Sequence, residues 1–495
     1  MICGKELLSF STDGNLFGYY NNNLRKIVLP GANYPFKANH SLSGDIVLYV
    51  HPDLVDEYRS TNYTKNYRIM PIGQQSEYAV TTAAGGQLQS QLAEDLAQFT
   101  QSLTITGPIN GTDINYLHSS FPNLQVLNLK NARIVAGGDK YFRWNVEQNG
   151  NATAVSWDKW DTEDDVVGHY MFQKMPSLQT LSLPEGIKKI GEYACAQNSR
   201  TNLRLTRIDI PSTVIEIGRD AFYYTAITEV TIPAGVTRIE QEAFQDCRML
   251  QRAVLPDGIT FIGNSAFENC YELEDVNIPA QVVTIEADAF YNNNKRNTPL
   301  VIPNTCTTIG NYAFRYNKVL PSVTFGNSLQ TVGRYAFADC YLIEQAVLPE
   351  TVTSIGDRAF YNCDSLRTFT FPQNVKKVEG WVLESCEALT SVTLAQGTTS
   401  IGESAFNNCK QLTTINLAEQ SSLTTLGNYA FLNTALKTVT LPNSITEIGY
   451  TVFQGCKQLE SINVPTGIDY VPYDFCEDCP KLTSVKMHDG IRVNR

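Results

Sequence analysis

Long hydrophobic runs are missing from this 495-residue chain; the longest purely apolar stretch is Ile46 to Val50. A helix needs about 20 apolar residues to cross a bilayer, so no membrane-spanning helix is expected. Met1-Ile2-Cys3-Gly4 offers no apolar leader core, and the numbering is expected to begin after a removed leader. Histidine is scarce: His40, His51, His118, His169 and His488 are the five, and none forms H-E-x-x-H or a metal-ligand pair. Basic residues are outnumbered, 38 Lys and Arg against 50 Asp and Glu, for a net charge of −12. An acidic surface repels phosphate backbones, which argues against a nucleic-acid partner. No P-loop, no G-x-G-x-x-G after a strand and no G-x-S-x-G elbow occurs. No cofactor is implied. Core material is plentiful at 43% hydrophobic residues, which excludes a disordered chain.

Cysteine supplies the first positive signal. Eight of the 12 share one register: Cys247, Cys270, Cys340, Cys363, Cys386, Cys409, Cys456 and Cys479. Disulfide frameworks do not space cysteines one per repeat; a repeat does. The unit reads L-x-x-V-x-I-P, a short turn, then V-T-x-I-G-x-x-A-F-x-x-C. Its I-G anchor recurs 14 times, at Val167, Ile190, Ile217, Ile239, Ile262, Ile285, Ile309, Val332, Ile355, Val378, Ile401, Leu426, Ile448 and Val471. The mean step is about 23 residues, inside the window of leucine-rich repeats.

Each position has a physical task. Val and Ile alternate with polar residues as a half-buried strand. Pro ends that strand because it cannot donate to a ladder. Ala and Phe fill the return arm, and Cys is a small buried hydrophobe at its end. No coil closes a core alone; stacking buries a continuous stripe. Long steps from Ile190 to Ile217 and from Ile401 to Leu426 mark loops, the first around Asn198 to Thr201. The expected fold is a β-rich solenoid: a right-handed leucine-rich-repeat array of about 14 coils of ~23 residues, with a small α+β cap region at the N-terminus.

The motif at Ile262-Gly263, Ala266-Phe267, Cys270, Leu273, Val276 and Ile278-Pro279 resembles the BspA-type leucine-rich repeat family of bacterial surface proteins. The resemblance covers about residues 100–495. It implies a non-enzymatic adhesion or host-contact role and export to the bacterial cell surface, with Cys3 as a lipidation candidate. Cys195 and Cys476 stand where the motif has Phe, and Trp381-Val382-Leu383 stands for x-Ala-Phe; these read as packing variants.

Four segments are expected. Residues 1–75 carry a strand–helix–strand pattern (Asp45–Val50, His51–Tyr58, Arg68–Ile72). Residues 76–135 hold a helix from Leu88 to Phe99, a helix capped by Thr112 or Asp113, and the first irregular repeats. Residues 136–165 are an insertion with Tyr141, Phe142, Trp144, Trp157 and Trp160, three of the chain's four tryptophans, beside Asp158, Asp161, Glu163, Asp164 and Asp165. Residues 166–495 are the array, whose terminal segments are expected to cap it.

Binding candidates follow from this division. The insertion's Tyr141, Trp144, Trp157 and Trp160 form one group, since loops on rigid scaffolds carry function. Arg207, Asp209, Glu229 and Asp275 form the other, on the outward strand face, a ladder of short polar residues with almost no aromatics. That face suits a protein or matrix ligand; a glycan would use the tryptophan insertion. Tyrosines beside the Ala-Phe step, such as Tyr193, Tyr312, Tyr335 and Tyr429, are expected to stack along one edge. Cys476-Glu-Asp-Cys479 falls on the Phe and Cys registers and reads as packing. Stacking spreads the ladder thiols along a line, so neither zinc nor a disulfide ladder is expected. The Asn62, Asn110 and Asn151 sequons are expected unmodified in a bacterial product.

Overall fold

The computed structural model describes residues 26–29, 47–51, 54–56, 68–71, 76–142, 159–173, 175–197, 204–489 and 491–493. It is a β-solenoid of about 17 turns. Each regular turn contributes two short strands to two parallel ladders. On the face ladder, Arg207–Asp209 pairs with Thr180–Ser182, and Thr368–Thr370 with Ser391–Thr393. The second ladder is built from two-residue strands ending on the I-G anchor. All 14 anchors end such a strand, and all but the partly buried Ile448 are buried. The array extends beyond them at both ends, to Ile109 and Ile134 before and Val493 after.

The return arm forms a third ladder. Phe222 N–H donates to Ala243 O at 3.0 Å, Phe244 to Ala266 O at 2.9 Å and Phe267 to Ala289 O at 2.8 Å. Two residues per regular arm have positive φ, for example Ser265 (53°) with Asn269 (58°) and Arg358 (57°) with Asn362 (59°). These left-handed residues aim alternate N–H groups at the next coil, at a local cost that the ladder offsets.

Two columns run inside this arm. Phe222, Phe244, Phe267, Phe290, Phe314, Phe337 and Phe360 stack with centroids 5.1–5.5 Å apart. Leu383 interrupts the column, and it resumes through Phe406, Phe431 and Phe453. The cysteines have a role beyond filling space. All eight register thiols donate to a main-chain carbonyl of the preceding coil, from Cys247 to Phe222 O (3.2 Å) through Cys363 to Phe337 O (3.3 Å) to Cys479 to Phe453 O (3.1 Å). Where Asn317 replaces Cys, its Nδ2 donates to Phe290 O and Phe314 O, both at 2.8 Å. Burial pushes the Cys247 and Cys386 thiols up to about 12, so they are inert at neutral pH.

The N-terminal region stacks in the same parallel manner. Strands β1 (Lys26–Leu29), β2 (Val47–Val50) and β3 (Arg68–Pro71) pair in that order. Gln101 Nε2 donates to Tyr49 Oη at 3.3 Å, and Asn123 Nδ2 lies 4.0 Å from Met70 Sδ, tying this sheet to the first coils. The expected helix over Leu88–Phe99 is two short ones, α1 (Leu88–Gln91) and α2 (Glu94–Ala97). A straight 12-residue helix would run about 18 Å; the extended Ala93 (ψ 160°) breaks it, and Leu88 and Leu92 reach the core. Helix α3 (Gly111–Ser120) is capped by Asn110, not by Thr112 or Asp113. Asp113 closes the capping box by accepting Asn110 N–H at 2.9 Å, and it also accepts Gly86 N–H (2.6 Å) and Leu88 N–H (2.8 Å). The long step before Leu426 is taken up by a single helical turn at Leu417–Glu419. The Asn198–Thr201 loop, Asn62, Asn151 and Cys3 lie outside the described residues, as do Pro52, Asp53, Glu57 and Tyr58 of the segment His51–Tyr58.

Among the described residues, the last face strand, Ser484–Lys486, pairs with Ser461–Asn463 alone, and all three of its residues are exposed. The chain after it joins the second ladder at Arg492–Val493 instead of folding over the face.

Candidate interaction surfaces

The strand face is more self-satisfied than its sequence suggests. Arg207 lies 3.1 Å from Asp209, which also accepts Ser182 Oγ at 2.9 Å. Glu229, Arg252 and Asp275 follow one another in register, and Arg252 bridges to Asp275 at 3.1 Å. Charges of opposite sign thus meet between strands about 4.8 Å apart. Arg252, not singled out from the sequence, completes this stripe; the charge alternation at one strand position was its signal. The face asparagines are consumed as well. Asn277 exchanges two hydrogen bonds with the Leu255 main chain, at 2.9 and 2.8 Å, and Asn463 does the same with Leu441.

The insertion returns to the array through an antiparallel pair, β4 (Tyr141–Phe142) with β5 (Lys159–Trp160). On the face ladder, Val126–Asn128 pairs directly with Thr180–Ser182. On the second ladder both Ala132–Ile134 and Val166–Val167 lie between the strands ending at Ile109 and Ile190. The insertion therefore sits where one face strand is absent. Its acids are engaged: Asp161 pairs with Lys140 at 2.8 Å, Asp165 with Arg133 at 3.1 Å, and Asp164 accepts Ala136 N–H at 2.8 Å.

Of the four aromatic candidates here, Trp144 and Trp157 lie outside the described residues. Tyr141 is 0% exposed, so it packs the core and has no surface to offer a ligand. Its hydroxyl presses on Gly168; a Cβ there would come within 2.2 Å of Tyr141 Oη, so this anchor glycine is needed for clearance. Trp160 is half-buried and stacks on His169 with centroids 4.4 Å apart.

His169 joins Trp160 to a groove of about 440 Å³ that opens on the second ladder. Lys189, Glu216, Arg238 and Glu240 line it with the exposed Ile215 (57%). Ion pairs brace its floor, Lys189 to Glu216 at 2.7 Å and Arg238 to Glu240 at 3.0 Å. Nδ1 of His169 accepts Glu192 N–H at 3.2 Å, so the proton of the neutral ring is on Nε2. Behind Arg219, the buried Asp220 carboxyl is pushed up to about 7, by burial first and by the hydrogen-bonded Glu242 next. Sequence reading missed this groove. Its members sit on different coils at outward anchor positions, and only Ile215, an apolar residue where the coil before places Lys188 and the next two place Thr237 and Thr260, signalled it.

The tyrosine edge forms at Tyr193, Tyr312 and Tyr335, whereas the exposed Tyr429 has no ring neighbour among the described residues. Tyr170 stacks on Tyr193 and Tyr312 on Tyr335, with centroids 5.0 and 5.1 Å apart. Arginines insert between rings: Arg315 lies 4.4 Å from the Tyr316 centroid and 4.6 Å from that of Tyr335, and Arg358 lies 3.8 Å from Trp381.

The parallel ladders and the buried apolar stripe define a leucine-rich-repeat scaffold. More specifically, the chain belongs to the BspA type leucine rich repeat family, which it matches over residues 165–297, 293–396 and 381–494. Solved structures similar to it include a leucine-rich repeat protein from Bacteroides ovatus (29% identity, 54% of this chain and 70% of that one, TM-score 0.41). A leucine rich cell surface protein from Faecalibacterium prausnitzii shares 22% identity over 71% of this chain and 94% of that one, with a TM-score of 0.40. The pneumococcal vaccine antigen PcpA shares 19% identity over 62% and 78%, with a TM-score of 0.38. Comparison with curated proteins returns no match. Among the described residues, no helix is long and apolar enough to cross a membrane.

Proposed function

We propose that this chain is a non-enzymatic interaction protein of the bacterial cell surface that binds a protein or matrix ligand. The supporting observation is the groove around Ile215. It is a concave site of several hundred Å³, with an exposed aliphatic anchor ringed by paired charges and bordered by Trp160 on His169. An apolar centre with a charged rim is the anatomy of a protein-binding patch. The outward strand face, whose charges and amides are matched between coils, plays a supporting part in this reading. A glycan is the alternative ligand, taken at the insertion tryptophans.

The test is a binding screen of the purified protein on immobilised matrix proteins and a glycan array, repeated with Ile215→Asp and with Val347→Asp. Val347 is 78% exposed on the strand face, so both variants are expected to fold. Saturable protein binding weakened about tenfold or more by Ile215→Asp alone supports the groove. Equal loss in both variants, or loss only with Val347→Asp, refutes its placement. Glycan binding that disappears when residues 143–158 are deleted moves the site to the insertion.

A further inference from the structure

Nine of the eleven described cysteines are buried in the array, whereas Cys476 and Cys479 are partly exposed. They lie on the return arm of the coil carrying the last described face strand, Ser484–Lys486. The Phe column ends here, because Cys476 takes the Phe position and Phe475 the Ala position. Phe475 meets Phe453 edge-on with centroids 5.4 Å apart, instead of continuing the stack. A second thiol thus replaces the ring three residues before Cys479, whose own thiol donates to Phe453 O at 3.1 Å. Residues 473–478 form the connecting turns, and turn residues three apart bring their Cα atoms within about 7 Å, close to disulfide range. At the other register positions a phenylalanine or leucine stands three residues before the cysteine, and each thiol is buried.

We propose that Cys476 and Cys479 are a redox-active dithiol that closes into a disulfide by exchange with a small-molecule disulfide, cross-linking the turn of this arm. In the first step the Cys479 thiolate attacks one sulfur of the small disulfide. Its S–S bond breaks, one small thiolate leaves, and a mixed disulfide forms on Cys479. In the second step Cys476 gives its proton to the departing thiolate and attacks the Cys479 sulfur, releasing the second small thiol. Two protein thiols are oxidised and one disulfide is reduced to two thiols. The neighbouring thiols of Cys456 first and Cys476 next hold the Cys479 thiol below the ordinary range, which favours it as the attacking sulfur. The buried Cys456 keeps its hydrogen bond to Phe431 O.

The experiment treats the native full chain with excess oxidised glutathione, alkylates all remaining thiols in denaturant and maps tryptic peptides by mass spectrometry. The peptide Gln458–Lys481 contains Cys476 and Cys479 and no other cysteine. It is expected to lose both labels and two hydrogens, while Cys456 and the other ladder cysteines stay fully alkylated. With Cys476→Ser, Cys479 is expected to retain a glutathione adduct, because its resolving thiol is gone. Alkylation of both cysteines after oxidation overturns the proposal, as does a Cys456–Cys479 disulfide. So does a Cys476→Ser chain without the adduct whose circular dichroism matches the native one; Cys476→Ala repeats that arm if the serine variant misfolds.

Discussion

The buried carboxyl of Asp220 gives the array a pH dependence that can be worked out in advance. Its side chain is 1% exposed, bridged by Arg219 at 2.8 Å and hydrogen-bonded to Glu242. Burial and Glu242 raise its pKa from 3.8 to about 7, so the folded chain binds a proton there that the unfolded chain has released. Stability from this group therefore falls as pH rises from about 4 to about 7 and stays low above that. Three pKa units correspond to a ceiling of about 4 kcal/mol. Asp220→Asn removes the titration while keeping an amide that can donate to Glu242 and accept from Arg219. Asn also suits the φ of 55° at this position, a benefit independent of pH. Thermal unfolding followed by circular dichroism at about pH 4 and about pH 8 separates the two effects. The variant's gain over the native chain should be larger at the higher pH by several degrees. Equal gains at both values would refute the assignment of a protonated carboxyl. A loss confined to the higher pH would mean that the ionised Asp220–Arg219 pair stabilises the fold.

Further outcomes follow from the columns and the groove. Phe314→Ala, at a ring 5.3 and 5.2 Å from its stacked neighbours, should cost about 3–5 kcal/mol in denaturant titration, whereas Phe314→Leu should cost under about 1.5 kcal/mol, as Leu383 already sits in this column. A cost for leucine as large as for alanine would show that stacking, not volume, holds the column. Cys363→Ala removes one thiol–carbonyl bond and should cost about 1 kcal/mol; no measurable change would make the ladder incidental. Glu216→Lys should weaken any groove-dependent binding by reversing the Lys189 pair while leaving the melting temperature nearly unchanged, since exposed pairs contribute about 0–1 kcal/mol. A large fall in melting temperature would contradict that reading.

Much of the fold was legible because a repeat states each packing rule many times over. The I-G anchor, the Pro after the strand and the Ala-Phe step each recur at fixed spacing, so every copy checks the others. All 14 anchors ended on the second ladder for that reason. What stayed hidden had no periodic signal. The left-handed pairs such as Ser265 with Asn269 vary in residue type, because their backbone is held by the ladder more than by intrinsic preference. The cysteine position hid its hydrogen bond, since a thiol reads as a small hydrophobe until its carbonyl partner is seen. The break at Ala93 and the cap at Asn110 were missed because tertiary fit, not local propensity, sets where those helices begin and end.

The candidate site was less legible for a related reason: a solenoid assembles its surfaces from residues one coil apart. Arg207 and Asp209 looked like ligands on a strand face, yet the same spacing that displays a charge places an opposite charge beside it. Interaction capacity on such a scaffold therefore concentrates where the period fails. The groove follows the coil in which the insertion displaces a face strand, and Ile215 lies in the long step between Ile190 and Ile217. The dithiol arises where the Phe column loses its ring at Cys476. Regular coils satisfy their own hydrogen bonds and charges and leave little for a partner; each departure leaves a group that the next coil does not match. In this chain the irregular positions, more than the repeat itself, are where substitutions should alter binding without unfolding the array.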